Sequence, residues 1–504
     1  MIEESCLLMI VLGGTRFGSL IKGCQMYQLF LKYKPYRLIL LFKWLAIIFP
    51  LAAIIGSCCA LFLWSLEWAT KTRFLYPALL FGLPIAGFIT SWLYSRYGKL
   101  AAGGNNLILE EIHKPNAGVP LRMAPLIFIS TVITHLFGGS AGREGTAVQL
   151  GGSIASGIGR IAGLDKKDIR LLLISGIAAG FGAVFGTPVT GAIFALEVPV
   201  IGRLEYRALI PALTAAILGD WVCRLWGMDH LRYSMASFSQ MGHFQLNIIL
   251  FFKVILASIA FGVIARLFSE SLANSAQWFK KVIPSAPLIS FTGGLIVIAL
   301  VYITGTRDYL GIGTIAAQPN GLQLGSFFDA QQHHYWSWLL KFIFTVVTLS
   351  TGFKGGEVTP LFFIGAALGS TIAHIIGAPV DLFAGIGFIA VFGAAANTPL
   401  ACIIMGVEMF GADNIVYFAA GCCTAYIFSG YSGIYLSQTI GTEKPDIRSD
   451  TILAQSLKML QRNWWTPASD PLIFAKIDPS EKEPNPAEKV KEEATAASNH
   501  AKFL

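Results

Sequence analysis

Apolar residues dominate two early stretches, 38–66 and 74–96, and each is long enough to cross a bilayer as one helix, which takes about 20 residues. From residue 120 the pattern changes. Apolar segments shorten and are interrupted by glycine, proline and charge at 125–137, 146–162, 170–185 and 188–202. More follow at 206–226, 245–279, 286–304, 336–352, 358–376, 381–395, 399–411 and 413–430. The pattern predicts well over ten helical pieces, several too short to span alone. Broken backbone at membrane depth is tolerated only where protein buries it or a polar cavity adjoins it.

Composition agrees. Only 13% of the 504 residues are charged, against about a quarter in soluble domains. The deficit runs through 38–440, so a soluble enzyme on a single anchor is excluded. The net charge of +8 does not imply nucleic-acid binding. Its basic residues fall in short connectors, as at Lys32, Lys34 and Arg37, at Lys71 and Arg73, and at Lys280 and Lys281, as expected beside cytoplasmic membrane faces. The first cluster favours a cytoplasmic N-terminus. The eight cysteines lack metal-like spacing, and the pairs Cys58-Cys59 and Cys422-Cys423 read as apolar filler. Residues 1–36 read as a cytoplasmic segment with room for an interfacial helix, and 441–504 as a short polar cytoplasmic tail without a regulatory domain.

The central region, 37–440, reads as two halves, roughly 37–226 and 245–440. Thr187-Pro188 is followed by Glu197, ten residues after the threonine, and Thr398-Pro399 by Glu408 at the same distance. Gly142-Arg143-Glu144-Gly145-Thr146 is echoed by Gly355-Gly356-Glu357-Val358-Thr359. The offsets, 211 and 213 residues, favour an internal duplication inverted in the membrane, an arrangement known from transporters.

Glycine precedes or interrupts apolar helices at Gly104-Asn105-Asn106-Leu107-Ile108 and at the two echoed segments. A helix start leaves N–H groups unpaired and carries partial positive charge. Several starts aimed at one point can hold an anion without a full positive charge, and so still release it. Simple helix packing is the plainer use of such glycines. Glu144 stands out, because an ionisable group inside a membrane protein is costly. Its carboxylate can occupy an anion site when charged and leave it when protonated. The alternative is an ion pair with Arg143. Glu197 and Glu408 suit a structural role, bonding free backbone amides, and His135 and His374 suit buried, hydrogen-bonded positions. No His-Glu-x-x-His or Gly-x4-Gly-Lys-Ser/Thr segment occurs, which argues against a membrane metalloprotease and an ATP-driven pump.

These segments resemble the CLC family of chloride channels and proton-coupled anion antiporters, over about residues 38–440. The resemblance implies an all-α membrane fold with two inverted repeats of tilted and broken helices. It makes Glu144, in Gly142-Arg143-Glu144-Gly145-Thr146, the gating glutamate. Ala178-Ala179-Gly180-Phe181-Gly182 with Thr187-Pro188 resembles the next block. Gly356-Glu357-Val358-Thr359-Pro360 resembles the segment whose amides face the ion, so Glu357 and Val358 would be the donors. Tyr435 resembles the tyrosine facing the ion from inside. Gly104 and Asn105 stand where the chloride pattern has a glycine and an ion-coordinating serine.

Other departures are Thr146 for proline, Glu357 at an apolar position, and Val198 where chloride antiporters carry an inner glutamate. All are similar to the CLC-F branch, which exchanges fluoride for protons. An Asn amide offers two N–H donors where a hydroxyl offers one, which suits a small, strongly hydrated ion. By the same resemblance Thr359 lines the inward route of the Glu144 carboxyl or of the ion, with Arg143 beside it, and Glu357 relays protons. The implied protein is a homodimeric fluoride/proton antiporter of a prokaryotic cytoplasmic membrane, with no cofactor or metal and no enzymatic activity. The alternative is a chloride channel or chloride/proton antiporter.

Overall fold

The computed structural model describes residues 17–444, except 117, 231–232, 234, 236–246 and 319–320, together with Leu457; side chains are described from residue 42 onward. Most of the expected terminal segments, 1–16 and most of 441–504, lie outside the described residues. The described chain is almost wholly helical. The first half carries α1 (Phe17–Leu75), α2 (Leu83–Tyr97), α3 (Gly104–His113), α4 (Met123–Leu136), α5 (Glu144–Ile161), α6 (Lys166–Phe185), α7 (Pro188–Glu197) and α8 (Leu209–Leu225). The second carries α9 (Ile248–Val282), α10 (Ala286–Thr304), α11 (Ser337–Ser350), α12 (Val358–Ile376), α13 (Val380–Ala396), α14 (Pro399–Phe410) and α15 (Ile415–Phe428).

Among the described residues seven helices are long and apolar enough to cross a membrane, the apolar part of α1 being Phe42–Leu75; six others of 10–17 residues are apolar but short. The helical backbone of α1 begins at Phe17, with no break near residue 37. The expected connector at Lys71 and Arg73 is instead the last turn of α1. Arg73 is buried there and donates from Nη1 to the His135 carbonyl at 3.2 Å. A helical turn continues through polar residues when neighbouring backbone accepts their hydrogen bonds, and sequence periodicity cannot register that.

Large apolar side chains are exposed on the outer helices, including Trp64 and Trp68 of α1, Trp92 of α2, Leu256 of α9 and Ile303 of α10. In water such a surface would drive association; facing lipid tails it incurs no cost. The interior is built from α6 and α13. All of α13 is buried, as is α6 from Leu172 onward.

The duplication is visible in matched geometry. α6 ends on Gly186 and α13 on Asn397, both left-handed, at φ 72° and 56°. Thr187 and Thr398 follow with nearly equal backbone angles, φ −124° and −128°, and proline then starts α7 and α14. Glycines let α5 approach α6 and α12 approach α13: a side-chain carbon at Gly151 would strike the Gly176 carbonyl, and one at Gly365 the Gly387 carbonyl.

Two further contacts join the halves. Gly142 and Gly356 form an antiparallel bridge, Gly142 N donating to Gly356 O at 2.6 Å and Gly356 N to Gly142 O at 2.8 Å. Two-residue strands β1 (Val200–Ile201) and β2 (Thr439–Ile440) pair in parallel. Packing continues past residue 440, since Lys444 and Leu457 are both buried.

Candidate anion-binding site

The Gly142–Gly356 bridge sets the starts of α5 and α12 side by side. Arg143 and Glu357, the residues just before the helices, have similar backbone angles, φ −118° and −92°, and neither side chain caps its own helix. The first amides of each helix are therefore left to other partners.

Glu144, the first residue of α5, supplies one such partner. Its side chain is wholly buried. Oε2 accepts from Thr359 N at 3.1 Å and from Arg143 N at 3.1 Å, and Oε1 accepts from the Thr359 hydroxyl. The carboxylate thus lies at the positive end of α12, where a free anion would be stabilised. Arg143 Nε also reaches Oε1, at 3.4 Å. The ion pair weighed against a gating role does exist, as the longest of these four contacts.

Asn105 and Glu357 converge on Gly145. A carbon added there would sit 3.2 Å from Asn105 Nδ2, 3.4 Å from Glu357 Oε2 and 3.1 Å from Gly356 Cα. Gly104, at φ 58°, opens α3 in a conformation suited to glycine and faces the Gln149 amide of α5. Tyr435 is buried, edge-on to Phe194 at 6.3 Å between ring centroids. Asn105 Oδ1, Glu357 Oε2 and the Tyr435 hydroxyl are all enclosed without a hydrogen-bond partner. Buried polar atoms are rarely left so, and those of Asn105 and Glu357, both beside Gly145, mark a site suited to a small polar guest.

The structure brings Arg143, Glu144, Asn105, Glu357, Val358 and Thr359 together at the paired helix starts. Val358, one of the amides the resemblance assigns to the ion, opens α12, and the N–H that takes the Glu144 carboxylate is that of Thr359, the residue the resemblance sets on the inward route. Pro360 follows without an N–H, so α12 has few free donors in its first turn.

Glu197 and Glu408 have the structural role read from their spacing. Glu197 accepts from Leu400 N at 3.0 Å and Ala401 N at 2.8 Å, at the start of α14. Glu408 accepts from Val189 N at 3.0 Å and Thr190 N at 2.8 Å, at the start of α7. Each short helix carries, at or near its end, the carboxylate that caps the other. His135 lies between the carbonyls of Thr131, at 2.8 Å, and Ala141, at 3.1 Å; His374 lies between those of Ser370 and Ala330. Among the described residues no three His, Cys, Asp or Glu side chains are grouped to hold a metal.

A polar network around the turn that leads into α5 was not legible in the sequence. The Thr146 hydroxyl meets that of Thr131 at 2.8 Å, and Ser140 bonds Thr345 and Thr348 of α11. Lys341 is fully buried and donates to the carbonyls of Tyr309 at 3.1 Å and Gly311 at 2.7 Å. Gly311 N in turn donates to Gly139 O at 3.2 Å. A lone lysine inside the apolar run 336–352 was the available signal for this cluster.

A multi-pass helical membrane protein with paired inverted repeats and a buried carboxylate at opposed helix starts has the architecture of an anion-transporting membrane protein. The family described as voltage gated chloride channel matches residues 86–430, and the chain belongs to this CLC family, whose members are ion channels and transporters rather than enzymes. A chloride/fluoride channel protein of Pseudomonas syringae pv. tomato is 44% identical over 404 residues, covering 80% of this chain and 87% of the relative. The crystal structure of a CLC-type fluoride/proton antiporter superposes with a TM-score of 0.74 at 34% identity, over 79% of this chain and 98% of the other. A slow cyanobacterial Cl−/H+ antiporter shares the fold, with a TM-score of 0.65 at 19% identity, over 77% and 94% of the two chains.

Proposed function

We propose that this protein exports fluoride across the cytoplasmic membrane in exchange for protons, with Glu144 as the gating and proton-carrying carboxylate. The observation that carries it is the position of that carboxylate, buried and bonded to Thr359 at the start of α12. While ionised, it occupies a place that suits an anion. On taking a proton it loses its attraction to the helix end, and a transported anion takes its place. As the anion leaves, the carboxyl gives its proton to the opposite side and returns, so one carboxyl group links the two fluxes.

Asn105, Val358 and Tyr435 supply donors to the anion along this route, from the start of α3, the start of α12 and the inner side, while Gly104 shapes the turn that presents Asn105. Glu357 relays protons inward, since Val198 stands where chloride antiporters carry their inner glutamate. Thr359 lines the path of the Glu144 carboxyl, and Arg143 lies beside that path, its Nε 3.4 Å from Oε1. Fluoride is favoured by Asn105, whose Nδ2 lies against the start of α5. It is favoured also by the fluoride/proton antiporter and the chloride/fluoride channel protein among the similar proteins. We take the protein to be a homodimer with a pathway in each subunit and both termini cytoplasmic.

The test is ion efflux from liposomes containing the purified protein, comparing fluoride with chloride under an imposed proton gradient. Fluoride flux with linked proton movement, both lost in Glu144→Gln, is the expected result. Chloride flux equal to or above that of fluoride would overturn the fluoride assignment, and chloride flux without protons would identify a channel.

A further inference from the structure

Asn105 and Tyr435 belong to opposite ends of the chain, yet one residue ties their surroundings together. Ser437, two positions after Tyr435, donates from its backbone N to Asn106 Oδ1 at 3.1 Å and from its hydroxyl to Glu110 Oε1 at 2.9 Å. Asn106 directly follows Asn105, and Glu110 lies about one turn further along α3. The two bonds therefore fasten the segment carrying Tyr435 onto the short helix that presents Asn105.

The other side of that segment is anchored more heavily. Gln438 is fully buried and donates from Nε2 to the carbonyls of Val198 and Ala396, at 2.8 Å each. Its Oε1 accepts from Asn397 Nδ2 at 3.2 Å, and Asn397 Oδ1 accepts from buried Lys444 at 2.7 Å. Ile434 N donates to Ala395 O at 2.9 Å. Tyr435 is thereby fixed to the ends of α7 and α13. On its other side α3, ten residues long, packs Ile108 against Gly152 of α5, and the Ser437 bonds join it to the Tyr435 segment.

We infer that Glu110, Asn106 and Ser437 are positioning residues that set Asn105 against Tyr435 and so tune which halide the pathway prefers. The inference rests on the proposed anion pathway but not on which halide it favours. Glu110 acts as a hydrogen-bond acceptor, so its charge is dispensable. Glu110→Ala and Ser437→Ala are each expected to lower the fluoride-to-chloride flux ratio by about two- to tenfold, the range that loss of one net hydrogen bond implies. The double variant should be no worse than either single one. Glu110→Gln, which keeps an acceptor, and Ser437→Thr, which keeps the hydroxyl, should retain the wild-type ratio.

The experiment measures both halide fluxes in liposomes for each variant, with the thermal unfolding midpoint of the full-length protein recorded alongside. An unchanged ratio in folded Glu110→Ala and Ser437→Ala would overturn the inference. So would a Glu110→Gln variant as impaired as Glu110→Ala, since the carboxylate charge would then be what matters. If Ser437→Ala does not fold, Asn106→Ala breaks the other bond and is read in the same way. Preference of the wild-type protein for chloride would sink the fluoride assignment, while a shifted ratio in Glu110→Ala would still uphold the clasp.

Discussion

Thr359 holds Glu144 through both its amide and its hydroxyl, so the two contributions can be separated by substitution. Thr359→Val keeps the amide and removes the hydroxyl. Loss of a hydrogen bond to a charged group costs about 1.5–3 kcal/mol. A competing anion should then displace the carboxylate at roughly tenfold or more lower concentration. The concentration dependence of fluoride flux measures this, with Thr359→Ser expected to restore the wild-type value. An unaltered dependence in the valine variant would mean that Thr359 does not set the hold on Glu144. Glu144 itself was legible as a charge in an apolar, glycine-framed setting. That Thr359 adjoins its route came only from the family resemblance; which amide of α12 meets it depends on how the two helix starts are aligned across the Gly142–Gly356 bridge.

At the scale of helices, α7 and α14 stand or fall together. Each carries at or near its end a glutamate that caps the start of the other, as Glu197 does for Leu400 and Ala401. Removing such a cap leaves amides without partners, at about 1–3 kcal/mol. Glu197→Ala and Glu408→Ala should each lower the thermal unfolding midpoint, with Glu197→Gln milder because it keeps an acceptor. Stability unchanged in both alanine variants would disprove the capping role. The Thr-Pro starts and the ten-residue spacing to glutamate were readable as a repeat. The reciprocal pairing was not, since it requires the two helices to lie antiparallel and in contact. The same holds for Gly151 and Gly365. Composition suggests close packing, and only the structure shows which carbonyl occupies the space of a side chain.

For the whole molecule, the distribution of apolar surface is decisive. The outer helices expose tryptophan and leucine while α13 is buried along its length, so the fold needs lipid around it and polar ends above and below. Transport by such a molecule should run on ion gradients alone, and fluoride efflux from liposomes should proceed without nucleotide. A requirement for ATP would contradict it. The proposed dimer with a pathway per subunit makes a further prediction. Heterodimers of wild-type and Glu144→Gln subunits, purified through separate tags, should keep about half of the coupled flux if the pathways work independently. Complete loss would mean that the two subunits share one gate.

The sequence by itself determined the membrane setting, the approximate limits of most apolar helices, the duplication, and Glu144 as a charge in an apolar, glycine-framed setting. These depend on local hydropathy, on proline and glycine at helix ends, and on motif order, all of which are written along the chain. The tertiary structure alone decided which amide of α12 meets the carboxylate and that Arg73 and Lys341 are buried and donate to backbone carbonyls. It alone showed Ser437 joining α3 to the Tyr435 segment. Each of these links residues far apart in sequence, or rests on a backbone carbonyl whose availability depends on how helices pack, and no pattern of residue types along the chain encodes that choice.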